Sequence, residues 1–331
     1  KLGSGTVTIS AASITTGLVR INLGTLRYGI ANGLASPAVT LEGGTLDLNG
    51  FSDTVGAVTL IDGSIINSGG AATLTSTATY TVENGTISAV LGSAVAAGIA
   101  KNTAGRVIIL GDNTFTSTSI AVNAGFLNVR HSNALGAAGT ALATTISGGA
   151  TLELENGITL PATKTITANG TGVAKAGAIR NVSGTNVISA NIVLGTTNVR
   201  INSDAGTLTI PSVSGNTFNS IFGGAGNVTV SGAIGTTSGS VTKDGSGNLS
   251  LPGNNTYTGT TTILLGAIIA NSTASIGNGS ATNTLILNGG ILQATGTITS
   301  LSTRAVALGY DGGTIDTNGN PVSIAGTVGY A

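Results

Sequence analysis

Cysteine, methionine and tryptophan are all absent from these 331 residues, and only 7% of the residues are charged. The absence of cysteine excludes disulfide scaffolds, thiol catalysis and cysteine-ligated metals. Acidic and basic residues are equal in number, so charge gives no reason to expect nucleic acid or an anionic membrane as a partner. Serine–histidine catalysis would have to use His131, because the sequence holds one histidine.

Aromatic residues are also scarce, with five Phe and five Tyr, although 40% of the residues are hydrophobic. The apolar residues are therefore mostly Ala, Val, Ile and Leu, which suit a narrow core rather than the thick core of a compact globule. Low charge combined with many β-branched residues argues against disorder. The longest apolar stretch, near residues 263–270, is far too short to span a bilayer.

Short segments of alternating apolar and polar residues recur along the whole chain, at residues 6–9, 39–41, 45–48, 151–155 and 284–287. Most of these segments are bounded by Gly, Asn, Asp or Ser, a pattern typical of β-strands separated by turns. No segment has the pattern of a long amphipathic helix. The sequence therefore predicts an all-β fold.

Three anchors recur in a fixed order: a lysine, then a glycine ahead of a strand, then a glycine doublet. The three copies are Lys1, Gly24 and Gly43-Gly44; Lys101, Gly125 and Gly148-Gly149; Lys243, Gly266 and Gly289-Gly290. A step of about 23 residues is the length of three short strands with their turns, which is one coil of a parallel β-helix. We predict a right-handed parallel β-helix, or β-solenoid, of about 14 coils.

We expect residues 1–331 to form one continuous, elongated solenoid of degenerate repeats. The clearest copies lie at about 1–50, 101–157 and 243–296, and a more divergent stretch covers about 158–241. The third copy reads KDGSGNLSLPGNNTYTGTTTILLGAI from Lys243 to Ile268. It closely resembles the passenger-associated transport repeat of bacterial autotransporters, also called the autotransporter-associated β-strand repeat.

The residues that carry this resemblance follow the pattern Gly-x-Asn-Thr-Tyr-Thr-Gly. In the third copy they are Gly253, Asn255, Thr256, Tyr257, Thr258 and Gly259. The second copy keeps Lys101, Gly111, Asn113, Thr114 and Thr116, with Phe115 for the tyrosine and Ser117 for the last glycine. The first copy keeps Lys1, Gly3, Gly5 and Gly24 but lacks the Asn-Thr-Tyr element.

The resemblance implies a right-handed β-helix that reaches the bacterial cell surface, or is secreted, by type V secretion. Because the chain begins with Lys1 and not Met, we expect a processed protein, a passenger fragment, or a related secreted protein without its own translocator. In either case the motif residues have structural roles. We expect Asn113 and Asn255 to bond the backbone at corners, and Phe115 and Tyr257 to fill the core at a wide corner.

Candidate catalytic groups are few and scattered. His131 lies in a loop after a strand, which is typical of a turn or surface histidine. Glu153 and Glu155 share one strand face, so with Leu152 and Leu154 facing inward we expect both carboxylates to be solvated outside the coil. A glycosidase needs two carboxylates across a cleft, and this pattern does not supply them.

Calcium is a weaker candidate ligand. Residues 244–248 and 311–316 each bring acidic oxygens next to glycines, but neither forms the complete twelve-residue calcium loop. We therefore predict no catalytic, cofactor-binding or metal-binding residues, no cofactor and no enzymatic activity.

Three functions remain open. The first is a non-enzymatic, extracellular structural or adhesin-type surface protein. The second is a self-assembling fibre subunit that stacks head to tail, since neither end of the sequence has a helical or charged cap. The third and weakest is a glycan-acting β-helix enzyme. Acidic clusters and aromatic platforms would support that function, and the sequence lacks both. The expected partners are the chain itself or surface and host ligands, with no nucleic acid and no membrane span.

Overall fold

A computed structural model of the protein describes residues 1–94, 98–116 and 119–331. Within these ranges the chain forms 38 β-strands and two short 3-10 helices. Ser117, the counterpart of the last motif glycine in the second copy, lies outside the described residues. No helix in these ranges is long and apolar enough to cross a membrane.

The chain divides into two compact units, residues 1–153 and 154–331. In each unit the strands pair in parallel with strands of the next coil, so each unit is a β-solenoid, and the two units together contain about 15 turns. The predicted all-β solenoid is therefore confirmed. A continuous single body from 1 to 331 stays a prediction.

The first sixteen strands belong to the first unit, and the last of them lies at the boundary between the two units. They are β1 Thr6–Ile9, β2 Val19–Ile21, β3 Thr25–Tyr28, β4 Val39–Asp47, β5 Asp53–Val55, β6 Val58–Ile66, β7 Thr73–Ser76, β8 Tyr80–Val82, β9 Gly85–Ile87, β10 Val90–Ser93, β11 Ile99–Lys101, β12 Arg106–Ile109, β13 Ser119–Val122, β14 Phe126–Val129, β15 Leu142–Ile146 and β16 Thr151–Leu154.

The second unit contains the remaining strands and both 3-10 helices. Its strands are β17 Thr159–Leu160, β18 Lys164–Ala168, β19 Ile179–Asn181, β20 Thr185–Ile188, β21 Ile192–Leu194, β22 Val199–Ser203, β23 Thr207–Ile210, β24 Val213–Ser214, β25 Ser220–Gly223, β26 Asn227–Val230, β27 Ile234–Gly235, β28 Val241–Lys243, β29 Asn248–Leu251, β30 Thr261–Ile263, β31 Ala267–Ala270, β32 Leu285–Leu287, β33 Ile291–Ala294, β34 Ile298–Ser300, β35 Val306–Leu308, β36 Thr314–Asp316, β37 Val322–Ile324 and β38 Val328–Tyr330. The 3-10 helices are Val173–Lys175 and Thr273–Ile276.

Three columns of strands build the wall of the first unit. One column runs β1, β3, β4, β6, β9, β12 and β14; a second runs β2, β4, β6, β8, β11, β13 and β15; a third runs β5, β7 and β10. The nine-residue strands β4 and β6 contribute to two columns because the two halves of each strand pair with different strands, and the pairing of β4 with β6 shifts register around Glu42.

Successive coils place apolar side chains directly above one another in the interior. In the first unit one such column is Leu26, Leu46, Ile65, Ile87, Ile109 and Val129. In the second unit an equivalent column is Leu208, Val228, Leu249, Ile268 and Leu292. All of these side chains are buried, and each contributes about 1.5–3 kcal/mol of transfer free energy. The narrow core inferred from composition is therefore present.

Coil length varies more than the regular repeat predicts. Leu34 and Asp53, which are hydrogen-bonded between neighbouring coils, lie 19 residues apart in sequence. Ile158 and Asn186, hydrogen-bonded in the same way, lie 28 residues apart, and they fall in the stretch where the sequence repeat is least clear. The corners absorb these differences, so strand register continues from coil to coil although loop length changes.

Candidate functional site

The lysine that opens each repeat copy donates hydrogen bonds to main-chain carbonyls of two turns. The Nζ of Lys1 lies 2.9 Å from the carbonyl oxygen of Leu23, and the Nζ of Lys243 lies 3.1 Å from that of Leu265. Lys101 makes the same contact with Ala124, at 3.2 Å. Each ammonium also donates to a carbonyl of the turn that directly follows the lysine. The lysine therefore ties its own turn to the turn of the next coil.

The residue after each accepting carbonyl is the repeat glycine. Gly24, Gly125 and Gly266 have φ values of +70°, +64° and +68°, a backbone conformation that favours glycine. A Cβ at any of the three would lie 2.4 Å from a carbonyl oxygen of the neighbouring turn. The three repeat glycines therefore occupy equivalent corners.

Burial changes the chemistry of two of these lysines. The side chains of Lys101 and Lys243 are almost fully buried. Desolvation lowers the pKa of each ammonium to about 8, while the neighbouring acidic groups Glu83 and Asp244 oppose that change. These lysines are enclosed by the backbone, so the arrangement serves packing between coils.

In the divergent stretch an asparagine side chain makes the contact that lysine makes in the repeat copies. The Nδ2 of Asn181 donates to the carbonyl oxygen of Ala205 at 2.8 Å, directly before Gly206, whose φ is +73°. It also donates to the carbonyl oxygen of Gly184 in its own turn, at 3.3 Å. Asn181 therefore takes the place of the lysine, which sequence reasoning missed. The available signal was an Asn placed one coil before a glycine that precedes a strand.

The motif asparagines join three coils. The Oδ1 of Asn255 accepts the N–H of Ile234 at 2.7 Å, and its Nδ2 donates to the carbonyl oxygen of Ser275 at 2.6 Å. Asn113 repeats this arrangement between Leu91, at 2.9 Å, and Ala134, at 2.8 Å. The sequence predicted local backbone bonding. The structure shows bonds to the coils before and after, so each asparagine fixes the stacking order.

The aromatic motif residues are fully buried, as predicted. Phe115 and Tyr257 both have 0% exposed surface. The hydroxyl of Tyr257 lies 2.7 Å from the Oγ1 of Thr261, which in turn donates to the carbonyl oxygen of Ile276. The corner is therefore filled by an aromatic ring, and in the third copy its polar atom is satisfied.

Glu153 corrects one prediction from the sequence. Its carboxylate is buried, not solvated, with Oε1 3.1 Å from Nη2 of Arg106 and Oε2 3.1 Å from Nδ2 of Asn128. The guanidinium of Arg106 also lies 4.6 Å from the ring centre of Phe126. Glu153 does alternate with the inward-facing leucines, but side chains of preceding coils cover it. Glu155 is only partly exposed.

Asp47 is a second buried carboxylate on the coil wall. It accepts from Nε of Arg27 at 2.8 Å and from the hydroxyl of Ser68 at 2.7 Å. The hydrogen bonds from Ser68, Asn49 and Arg27 outweigh desolvation and lower the pKa of Asp47. Asp47 is therefore held as a carboxylate that joins neighbouring coils.

The remaining acidic and histidine candidates are also dispersed. His131 is half exposed in a turn, where its Nδ1 accepts the N–H of Asn133 at 3.1 Å and lies 3.7 Å from Asp112. Across the described ranges, no group of three or more His, Asp or Glu side chains is placed to hold a metal ion. The structure therefore does not bring the residues considered from sequence into one site.

One ion pair in the second unit spans two coil steps. Arg200 binds Asp244 through two hydrogen bonds, 2.7 Å from Nη1 to Oδ2 and 2.8 Å from Nη2 to Oδ1. The coil between them passes at Gly223, where a Cβ would lie 2.2 Å from both Nη2 and Oδ1. Asp244, considered from sequence as a calcium ligand, is thus paired with an arginine across a glycine.

The family comparison finds the passenger-associated-transport-repeat at residues 1–27 and 241–268. These ranges are the first and third copies of the lysine–glycine unit. The second copy lies outside them, although its lysine and glycine make the same contacts. Neither a curated protein nor a solved structure matches the chain.

Proposed function

We propose that this chain, which carries two segments of the passenger-associated transport repeat, is the non-enzymatic structural part of a bacterial surface passenger. Its role is to form a stable stack of coils outside the cell that presents outward-facing loops and strands to the surroundings. Adhesion to host or abiotic surfaces is the associated activity.

The contact that supports this proposal most directly is the lysine-to-carbonyl bond in both matched segments. Lys1 and Lys243, the repeat lysines of the two segments, direct their charges at main-chain oxygens of adjacent turns. A charged group that is satisfied by backbone carbonyls is not free to bind substrate. The signature residues of the repeat therefore hold coils together.

The charged side chains of the wall support the same conclusion. Arg20 pairs with Glu42, Arg27 with Asp47 and Arg180 with Asp204, in each case between neighbouring coils. Catalytic sites instead concentrate titratable groups in a cleft and shift their pKa values for chemistry. Here the paired charges lie along the wall and link coils.

Surface location is tested on intact cells of the organism that makes the protein. An antiserum against the purified chain should label intact cells, and externally added protease should remove the signal. Labelling that requires cell lysis would contradict the proposal. An in-frame deletion of the segment should then reduce adherence if the segment is adhesive, and leave adherence unchanged if it acts only as a spacer.

Absence of catalysis is tested separately with the purified chain. Polysaccharides and esters should not be turned over, and Asp47→Asn, Glu153→Gln and His131→Ala variants should behave like the parent chain. Turnover that any one of these substitutions abolishes would contradict the proposal.

A second candidate function is a fibre subunit that stacks end to end. Successive coils pair in parallel, and a coil of a second copy would extend the parallel sheet by the same pairing. Val328→Lys should then weaken association in sedimentation experiments, whereas Thr327→Lys, at the neighbouring position, should not. A monomer at high protein concentration would exclude this function.

A further inference from the structure

Asp53 is a buried carboxyl group in the core of the first unit. It lies in β5, where its partners in the next two coils are Leu74 and Leu91, both fully buried. Asp53 itself is only 2% exposed. A carboxyl group therefore occupies a position that the following coils fill with leucine.

The carboxyl group makes one hydrogen bond to the segment of residues 29–38, which precedes β4. Its Oδ2 accepts the N–H of Leu34 at 3.0 Å. Its Oδ1 and the hydroxyl oxygen of Tyr28 are both buried, and neither makes a hydrogen bond of normal geometry within the described residues, although the two groups are close enough to interact. The ring of Tyr28 packs close to Gly33 in the same segment, so Tyr28 and Asp53 both contact it.

No cationic side chain compensates this carboxylate within the described part of the first unit. Residues 29–38 and strand β7 contain no charged or histidine side chain, and Arg27, next to Tyr28 in β3, pairs with Asp47. Tyr28 is the titratable group that acts on Asp53. An ionised carboxylate that is buried without a cation is costly, and such groups usually take up a proton instead.

The segment that Asp53 holds is strained. Asn32 and Ser36 have φ values of +50° and +56°, which non-glycine residues rarely adopt. Such a conformation persists only where surrounding contacts maintain it. The hydrogen bond from Leu34 to Asp53 is one of these contacts.

We propose that Asp53 is a pH-dependent latch, which secures residues 29–38 against the core when it is protonated and loosens them when it ionises. Burial raises the pKa of Asp53, and this effect outweighs the hydrogen bond from Leu34 and the interactions with Tyr28 and Thr54, which favour the ionised carboxylate. At pH values between the pKa of Asp53 in the unfolded chain and its pKa in the folded chain, the folded state then binds more protons than the unfolded state. The stabilisation is complete below the unfolded pKa and is lost as pH rises through the folded pKa.

Hydrogen exchange measures the latch directly. Protection factors of the amides in residues 29–38, corrected for intrinsic exchange, should fall as pH rises from 4 to 7, by about tenfold for each unit by which the pKa is raised. Asp53→Asn keeps the shape of the protonated group and should remove this pH dependence. Asp62→Asn, a control at an exposed carboxylate, should retain it.

A second variant tests the role of Tyr28. The interaction with its hydroxyl favours the ionised carboxylate, so Tyr28→Phe should move the midpoint to higher pH. An NMR titration that follows the carboxyl carbon of Asp53 in the unaltered chain measures its pKa without any substitution. A midpoint above that of an ordinary aspartate supports the latch. A midpoint at or below about 4, or unchanged pH dependence in Asp53→Asn, overturns it.

Discussion

The side-chain ammonium of Lys243 donates a hydrogen bond to the carbonyl oxygen of Leu265, 3.1 Å away in the turn of the following coil. The lysine is buried, so its charge is compensated by main-chain oxygens rather than by water. Lys101 makes the equivalent contact with Ala124. A recurring charge in this solenoid therefore links coils and has consequences for the pH dependence of stability.

Stability should rise as pH increases from 7.5 to about 9.5. Burial lowers the pKa of Lys101, Lys164 and Lys243 to about 8, below the value of 10.5 in the unfolded chain. Between these values the unfolded state binds more protons, so the free energy of unfolding increases with pH, by about 1 kcal/mol per lysine at pH 9. Urea unfolding at a series of pH values measures this slope.

The tyrosines set the upper limit of that rise. Burial raises the pKa of Tyr28, Tyr80 and Tyr257 above the unfolded value of 10.0. Their contribution is complete below pH 10 and is lost as pH rises further, because the unfolded state then releases protons that the folded state retains.

A Lys243→Met variant tests the contribution of one lysine. Its free energy of unfolding should rise less between pH 8 and 9.5 than that of the parent chain. An equal rise in the variant would exclude Lys243 as a source.

Replacement of a repeat glycine by alanine should be strongly destabilising. Gly125 has φ +64°, and a Cβ there would lie 2.4 Å from the carbonyl oxygens of Gly105 and Thr103. The left-handed backbone alone costs a non-glycine residue about 1–2 kcal/mol, and the close contacts add to that. We therefore expect Gly125→Ala to lower the free energy of unfolding by more than about 2 kcal/mol.

Gly148 provides the matched control in the same unit. A Cβ at Gly148 would have no heavy atom within 4 Å, and its backbone is not in the left-handed region. Gly148→Ala should be neutral or stabilise by up to about 1 kcal/mol, because alanine restricts the unfolded chain. Similar losses for both variants, measured by denaturant unfolding, would contradict the assignment of Gly125 to a corner.

The sequence predicted the coil because its anchors have direct physical causes. A left-handed corner selects glycine, and the step from Lys101 to Gly125 spans one coil with its turn. Where a different group performs the same function, the pattern disappears. Asn181 reaches the carbonyl oxygen of Ala205 with an amide, so the divergent stretch contains no lysine to recognise at this corner.

Burial of wall residues could not be predicted from alternation. Alternation assigns Glu153 to the outer side of its strand. The side chain that covers its carboxylate there is Arg106, which lies 47 residues earlier in the sequence. The bond from Arg200 to Asp244 likewise depends on which coils lie two steps apart. Because coil length changes along the chain, and is greatest in the divergent stretch, sequence spacing does not determine these pairs.

The motif asparagine should not tolerate aspartate. The Nδ2 of Asn255 donates to the carbonyl oxygen of Ser275, and an ionised aspartate at this position would bring a negative charge against that oxygen. We expect Asn255→Asp to destabilise by about 2–4 kcal/mol at pH 7, and by less at pH 4, where the carboxyl group regains a proton to donate. Asn254→Asp, at the more exposed neighbouring position, should change stability by less than about 0.5 kcal/mol. Equal effects of the two substitutions, compared by thermal unfolding at both pH values, would refute this role.

Gly223 should be required only because an ion pair crosses it. A Cβ at this position would lie 2.2 Å from Nη2 of Arg200 and from Oδ1 of Asp244, which are otherwise 2.8 Å apart. Gly223→Ala therefore has to displace both charged groups from a partly buried pair. We expect the substitution to break the two-coil bridge.

A double-mutant cycle separates this effect from a general intolerance of alanine in β25. In a chain that already carries Arg200→Met and Asp244→Asn, the alanine meets no charge pair, so its cost should fall by about 1–3 kcal/mol relative to the parent background. The free energies of unfolding of all four chains supply the cycle. If Gly223→Ala costs the same in both backgrounds, the glycine serves the main chain of β25 and the bridge contributes little to holding the three coils together.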